Sequence, residues 1–256
     1  MRQMRSLRRG ALTALLLLAF VTAACKADGA HTALRVADPT TTSVAPTTTT
    51  TTLPPTTTTA APSRVVAAAV ADTRTVLDTG FRPFLAAENV VLNYPTARVE
   101  RVGFHESKLA AGRLLQPLPD AGETFVMPSR DRQTQANTAA DVLSDPDGEV
   151  RAPVTGRIKR GGTYTLYCKY TDSFLVIEPD AHPGWEVKLL HITGLLVTTG
   201  QRVEAGVTAV AAHPTRLPFA SQVEDYSAQP VWPHVHLEVD DPSIKNPPGV
   251  GGPGCT

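Results

Sequence analysis

The chain has 256 residues, with 24 lysines and arginines against 24 aspartates and glutamates. The only charges in the first 24 residues are Arg2, Arg5, Arg8 and Arg9, so beyond them 20 basic residues face 24 acidic ones. That mildly acidic remainder excludes a strongly basic nucleic-acid binder, and 5% aromatics with 22 prolines leave material for one modest core of Val, Leu and Ala.

Residues 1–24 read as a secretory signal: a cationic start, then an apolar run from Ala11 to Val21. That run is too short to span a bilayer, which takes about 20 apolar residues. It ends in Thr22-Ala23-Ala24-Cys25, which resembles a bacterial lipobox. Cys25 is therefore expected to carry lipid and to anchor the chain on the outer side of the cell membrane. Each buried CH₂ of such a lipid contributes about 0.8 kcal/mol. Thr22 stands where an aliphatic residue is usual, so plain secretion is the alternative. In that oxidising setting the other two cysteines, Cys168 and Cys255, are expected to pair; two separate thiols are the alternative.

Residues 25–63 form a tether. From Pro39 to Ser63 the chain is a Thr/Pro tract with almost nothing apolar to bury, which favours an extended spacer. Residues 64–121 read as a small N-terminal region. The Val/Ala spacing of Arg64–Ala87 predicts short helices, and Val90–Phe104 predicts extended chain with a break at Pro95. Residues 122–248 read as the principal domain, and 249–256 as a Gly/Pro-rich tail. Short β-like runs are predicted at Val150–Val154, Thr163–Tyr170, Ser173–Glu178, Trp185–His191, Gly194–Val197, Gln201–Val203, Val207–Ala212 and His234–Val239. Strands of this length and spacing predict a mainly β sandwich or barrel. Walker and nucleophile-elbow motifs are absent from the sequence.

The sharpest local signal is Pro233-His234-Val235-His236-Leu237-Glu238-Val239. Residues i and i+2 of a strand share a face, so His234 and His236 project together, as metal ligand and catalytic group or as two ligands. In order along the chain come Asp141, the run Val150-Arg151-Ala152-Pro153-Val154-Thr155-Gly156, Leu190-His191, and Val197-Thr198-Thr199-Gly200-Gln201-Arg202-Val203-Glu204-Ala205-Gly206. With the H-x-H strand, this series resembles the LytM/lysostaphin-type zinc endopeptidases, over roughly residues 137–239. The resemblance implies a duplicated-hybrid-motif β domain acting on peptide cross-links of peptidoglycan. It implies Asp141 and His236 as zinc ligands, and His191 and His234 as catalytic groups beside the metal.

The family's first motif is H-x-x-x-D, and here the matching residues are Asn137-Thr138-Ala139-Ala140-Asp141. Asn137 offers an amide oxygen, a poor replacement for imidazole on zinc. Ala139 replaces a glycine, and Leu189 replaces the tyrosine two places before His191. Two readings follow. Either His105, with Glu106 as a supporting neighbour, substitutes as the ligand, or the domain has lost its zinc and binds peptidoglycan or regulates a separate wall hydrolase. The V-x-A-P-x-x-G run also resembles lipoyl and biotinyl carriers, but no lysine occupies the hairpin tip they require.

Overall fold

The computed structural model describes residues 73–248; the signal, the Thr/Pro tract, Cys25 and Cys255 lie outside them. All the described residues belong to one compact unit, residues 64–256. The strands run β1 (Leu77–Asp78), β2 (Pro83–Ala87), β3 (Val90–Asn93), β4 (Arg98–His105), β5 (Gln116–Pro117), β6 (Thr124–Val126) and β7 (Ala139–Ser144). They continue as β8 (Val150–Arg151), β9 (Gly156–Leu166), β10 (Tyr170–Pro179), β11 (Glu186–Leu195), β12 (Arg202–Val203), β13 (Ala209–Pro214) and β14 (His234–Asp240), with one 3₁₀ turn at Gln222–Tyr226. The fold is mainly β, as the strand-and-turn pattern predicts.

The large sheet runs β1-β4-β7-β14-β11-β10-β9-β12, and a three-stranded sheet runs β3-β2-β5. The path is antiparallel throughout; β6 joins the edge of β4 in parallel. One core serves both sheets: Phe84 and Leu92 of the small sheet, with Tyr94 just after β3, enter the same cluster as Leu175, Leu189 and Leu237 of the large one. Strand β14 lies between β7 and β11 and is buried along its whole length. Its odd-numbered residues Val235, Leu237 and Val239 feed that core. Alternation then puts His234, His236, Glu238 and Asp240 together on the opposite face.

Three expectations are corrected. Residues 73–87 form β1 and β2 rather than helix. The chain turns between them through Gly80 and Phe81, both at positive φ, and the strand that begins at Pro83 buries Phe84 and Leu85 in the core. Burial against the sheet overrides the helical spacing there. Residue 121 is not a boundary either, because β4 pairs with β7 and β2 packs into the shared core. Finally, the strand predicted at Thr163–Tyr170 contains the β9–β10 hairpin turn. Tyr167 and Cys168 both adopt positive φ within the three-residue connection that ends at Lys169, without the usual glycine or asparagine.

The glycines of the two hairpin motifs have distinct uses. A Cβ on Gly156 would lie 2.1 Å from the Glu178 carbonyl oxygen, so this position admits the neighbouring backbone only because it has no side chain. Gly206 combines a φ of +69° with a close approach to the Phe81 carbonyl oxygen. Gly156→Ala is expected to destabilise the domain by about 1–3 kcal/mol, the cost of a forced overlap. Thermal unfolding checks this, and an unchanged midpoint would show that β9 and β10 are not so closely apposed.

Candidate metal centre

The polar face of β14 meets its neighbours in register. His236 stands opposite Asp141 of β7 and Leu190 of β11, while Glu238 stands opposite Ala139 and Lys188. One strand further out, Gly103 of β4 pairs with Asp141 and His105 pairs with Ala139. Ala139 thus sits between His105 and Glu238, and its small side chain leaves room for the His105 ring to lean toward Asp141. The result is a buried group of His105, Asp141 and His236 whose candidate ligand atoms all lie within 4.8 Å of one another.

His236 Nδ1 donates to Asp141 Oδ1 at 2.7 Å, and its Nε2 lies 3.2 Å from Glu238 Oε1. His105 Nδ1 donates to the Glu106 carbonyl oxygen at 2.8 Å. In the neutral ring that bond leaves Nε2 as a bare lone pair, which is the tautomer a metal ligand needs. This Nε2 is buried without a hydrogen-bond partner and faces Asp141 Oδ1 from 3.2 Å. In that tautomer the ring lone pair and the carboxylate oxygen would face each other in a buried site, an arrangement that a cation held between them would satisfy. Two imidazoles and one carboxylate match the donor set of zinc with an open fourth position.

The electrostatics of the group follow from burial set against close ionisable partners. Burial alone would raise the Asp141 carboxyl, but the neighbouring imidazoles of His105 and His234, with hydrogen bonding from His105 and His236, hold it well below the usual carboxylate range. Burial alone would lower the His236 imidazole, but its bonds to Asp141 and Glu238 push it up to about 9. Burial dominates at His234 and lowers it to about 3, so this ring is neutral at pH 7.

His191 and His234 complete the group, with ring centroids 4.8 Å apart. Strict alternation along β11 would send His191 away from the face that Leu190 shares with His236. A bulge corrects this: Ser173 pairs with Ile192 and Phe174 with Leu190, leaving His191 unpaired at a φ of +61°. Asp172 holds the bulge through Oδ2, which accepts from both the backbone N–H (3.3 Å) and Nδ1 (2.7 Å) of His191. The Tyr164 hydroxyl donates to the same oxygen at 2.7 Å. These side chains line an open groove of about 710 Å³, with Tyr167 and Phe219 on its aromatic side and Arg130 near Asp141.

No family model matches the chain, and no curated protein does. Among solved structures, a zinc-containing peptidase from Vibrio cholerae is similar over 62% of this chain, at 19% identity and a TM-score of 0.31. The chain covers 42% of that protein's length.

The sequence-derived residues separate into those the fold gathers and those it does not. Asp141, His236, His105, His191 and His234 surround one groove. Asn137 does not join the group; its side-chain amide donates to the Leu115 carbonyl oxygen at 3.1 Å, in the turn before β7. Glu106 supports His105, but through its backbone carbonyl rather than its carboxylate. The other described histidines lie elsewhere: His182 stacks on Trp185, and His213 bonds the Pro214 carbonyl. Cys168 lines the groove and is disulfide-bonded, while both other cysteines fall outside the described residues. Sequence reasoning missed Glu238, Asp172, Tyr164 and Arg130. Of these, only Glu238 carried a signal, since it lies two residues after His236 on the same strand face.

Metal ligation requires neutral His236, so uptake at pH 7 is expected to release about one proton from this ring. Calorimetry in buffers of different ionisation enthalpy reads that number, which should fall as pH rises past about 9. The same shift has a stability consequence in the metal-free protein. Its folded value exceeds the unfolded one of about 6.5, so the stabilisation is complete below about 6.5 and disappears as pH rises through about 9. Metal binding without proton release at pH 7 would contradict this assignment.

Proposed function

We propose that this chain is a zinc metalloendopeptidase that hydrolyses peptide cross-links of peptidoglycan, held outside the cell membrane by lipid on Cys25. The observation that carries the reading is the buried His105–Asp141–His236 group, with two further histidines beside it at the floor of an open groove. The choice of peptidoglycan rests on the sequence resemblance and on the signal and tether that precede the domain.

Zinc bound there supplies Lewis acidity, polarising a peptide carbonyl and acidifying water. The chain's own groups do the rest. His236 would offer Nδ1, which here bonds Asp141, to the metal, while Glu238 beside Nε2 fixes the ring's orientation. His191 is held through Nδ1 by Asp172, so Nε2 is its free nitrogen for proton transfer. His234 is kept neutral by burial, with Nδ1 3.5 Å from the Ser221 hydroxyl, and is placed to donate a hydrogen bond to the developing negative charge.

One observation favours the second reading, a domain that binds peptidoglycan or regulates a separate wall hydrolase without cleaving. The Arg130 guanidinium lies 3.6 Å from Asp141 Oδ2, a positive charge at the edge of the site that competes with a metal cation for the carboxylate.

Zinc analysis together with digestion of purified cross-linked peptidoglycan separates the two readings. The enzyme reading expects one zinc per chain, lost in His105→Ala and retained in Asn137→Ala. It also expects cleavage to fall about 10²–10⁴-fold in His191→Ala with zinc retained. Absence of both zinc and cleavage overturns the first reading and supports the second, whereas zinc with cleavage overturns the second; zinc without cleavage overturns the first. Cys25→Ala is expected to move the protein from the membrane fraction to the soluble extracytoplasmic fraction; an unchanged distribution would overturn lipid anchorage.

A further inference from the structure

The exposed charges of the groove are of one sign. Lys108, Arg130 and Arg132 line it, whereas its two carboxylates, Asp141 and Glu238, are 2% and 7% exposed and are matched to imidazoles. On a domain that is mildly acidic in composition, this is a local reversal.

The basic rim is also held in place. Glu106, the residue after His105, fastens it: its carboxylate accepts from the Ser129 hydroxyl at 2.5 Å and from the backbone N–H groups of Arg130 at 2.8 Å and Arg132 at 3.2 Å. Its carbonyl oxygen accepts from Arg132 Nη1 at 2.9 Å, beside the bond from His105. The Arg130 side chain is fixed in turn. Its Nε donates to Gln222 Oε1 at 2.6 Å, and Gln222 Nε2 donates to the Pro128 carbonyl at 3.0 Å. A guanidinium tethered through Nε still presents the N–H groups of its terminal nitrogens, and a pre-ordered fork loses little entropy on binding.

From these observations we infer that Arg130, flanked by Lys108 and Arg132, forms a subsite for a carboxylate of the bound peptide, adjacent to the bond presented to the metal group. The placement follows from distance: Arg130 Nη2 is 3.6 Å from Asp141, so an anion on this fork sits next to the reacting bond rather than several residues away. The guanidinium fork matches the planar carboxylate. The inference rests on the peptide-cleaving or peptide-binding reading of the groove and names the chemistry of what it selects.

The test uses the zinc-loaded mature chain and two fluorescent probes. One is a cross-linked peptide purified from peptidoglycan with its free carboxylates; the other is the same peptide with those carboxylates converted to amides. Anisotropy titrations are expected to show the acid form bound about tenfold more tightly. Arg130→Gln should reduce that preference to near unity, and Arg130→Lys should retain part of it. Lys108→Gln, at an exposed position, should weaken the preference about two- to threefold and serves if Arg130→Gln fails to fold. Equal binding of the two probes by the unaltered chain, or a preference unchanged in both glutamine variants, overturns the subsite and leaves the peptide reading standing. Binding of neither probe overturns the peptide reading and the subsite with it.

Discussion

A carboxylate withdrawn from water must be matched by charge and hydrogen bonds, and the whole site depends on how Asp141 meets that demand. It is 2% exposed, and four side chains converge on it: His105 from β4, His234 and His236 from β14, and Arg130 from the rim. Removing one partner from a buried charge pair costs about 3–5 kcal/mol, because the remaining charge is left uncompensated. The groups that would hold a metal therefore also tie β4, β7 and β14 together across the face of the sheet. Site geometry and fold stability are coupled at this residue.

The demand propagates along β14. Glu238 accepts from His236 on one side and lies 3.6 Å from Lys188 Nζ on the other, and Lys188 also pairs with Asp240. Burial would raise Glu238, but His236 and Lys188 keep it down at about 2, so it remains an anion that can hold His236 Nε2. At the far end Glu186 is bound bidentately by Arg160, at 2.7 and 2.6 Å. The polar face thus passes from imidazoles at the groove to compensated ion pairs near the strand's end. A central strand can be buried on both faces only if its polar face is closed in this way.

Local rules made part of this legible. The period-two alternation of β14 placed His234 with His236, and its apolar partners Val235, Leu237 and Val239 do enter the core. The strand-and-turn spacing after residue 121 gave a mainly β chain, and Gly156 and Gly206 of the hairpin motifs have steric reasons visible in the structure. Other elements depended on tertiary context. Alternation assigns His191 to the wrong face, and only a bulge held by Asp172 returns it to the groove. Asp172 and Tyr164 lie 19 and 27 residues before His191 and belong to no linear motif, so nothing local marked them. The segment before residue 88 has helix-compatible spacing, yet sheet pairing and core burial decide its conformation.

Asn137 shows why linear spacing is a weaker guide to a metal site than strand adjacency. A histidine four residues before Asp141 would approach the carboxylate from the turn leading into β7. Here that turn is occupied otherwise, with the Asn137 amide bound to the Leu115 carbonyl. The imidazole arrives instead from β4, whose His105 stands opposite Ala139, two residues from Asp141 on the same strand face. His105 Nε2 ends 3.2 Å from Asp141 Oδ1, and a metal here would require an unprotonated ring nitrogen beside Asp141 and His236, whichever strand carries it. The exchange depends on position 139 being small: a bulky residue between His105 and Glu238 would occupy the space through which the His105 ring leans. H-x-x-x-D is thus one linear projection of a cross-strand arrangement, and replacing its first residue removes the pattern without removing the nitrogen.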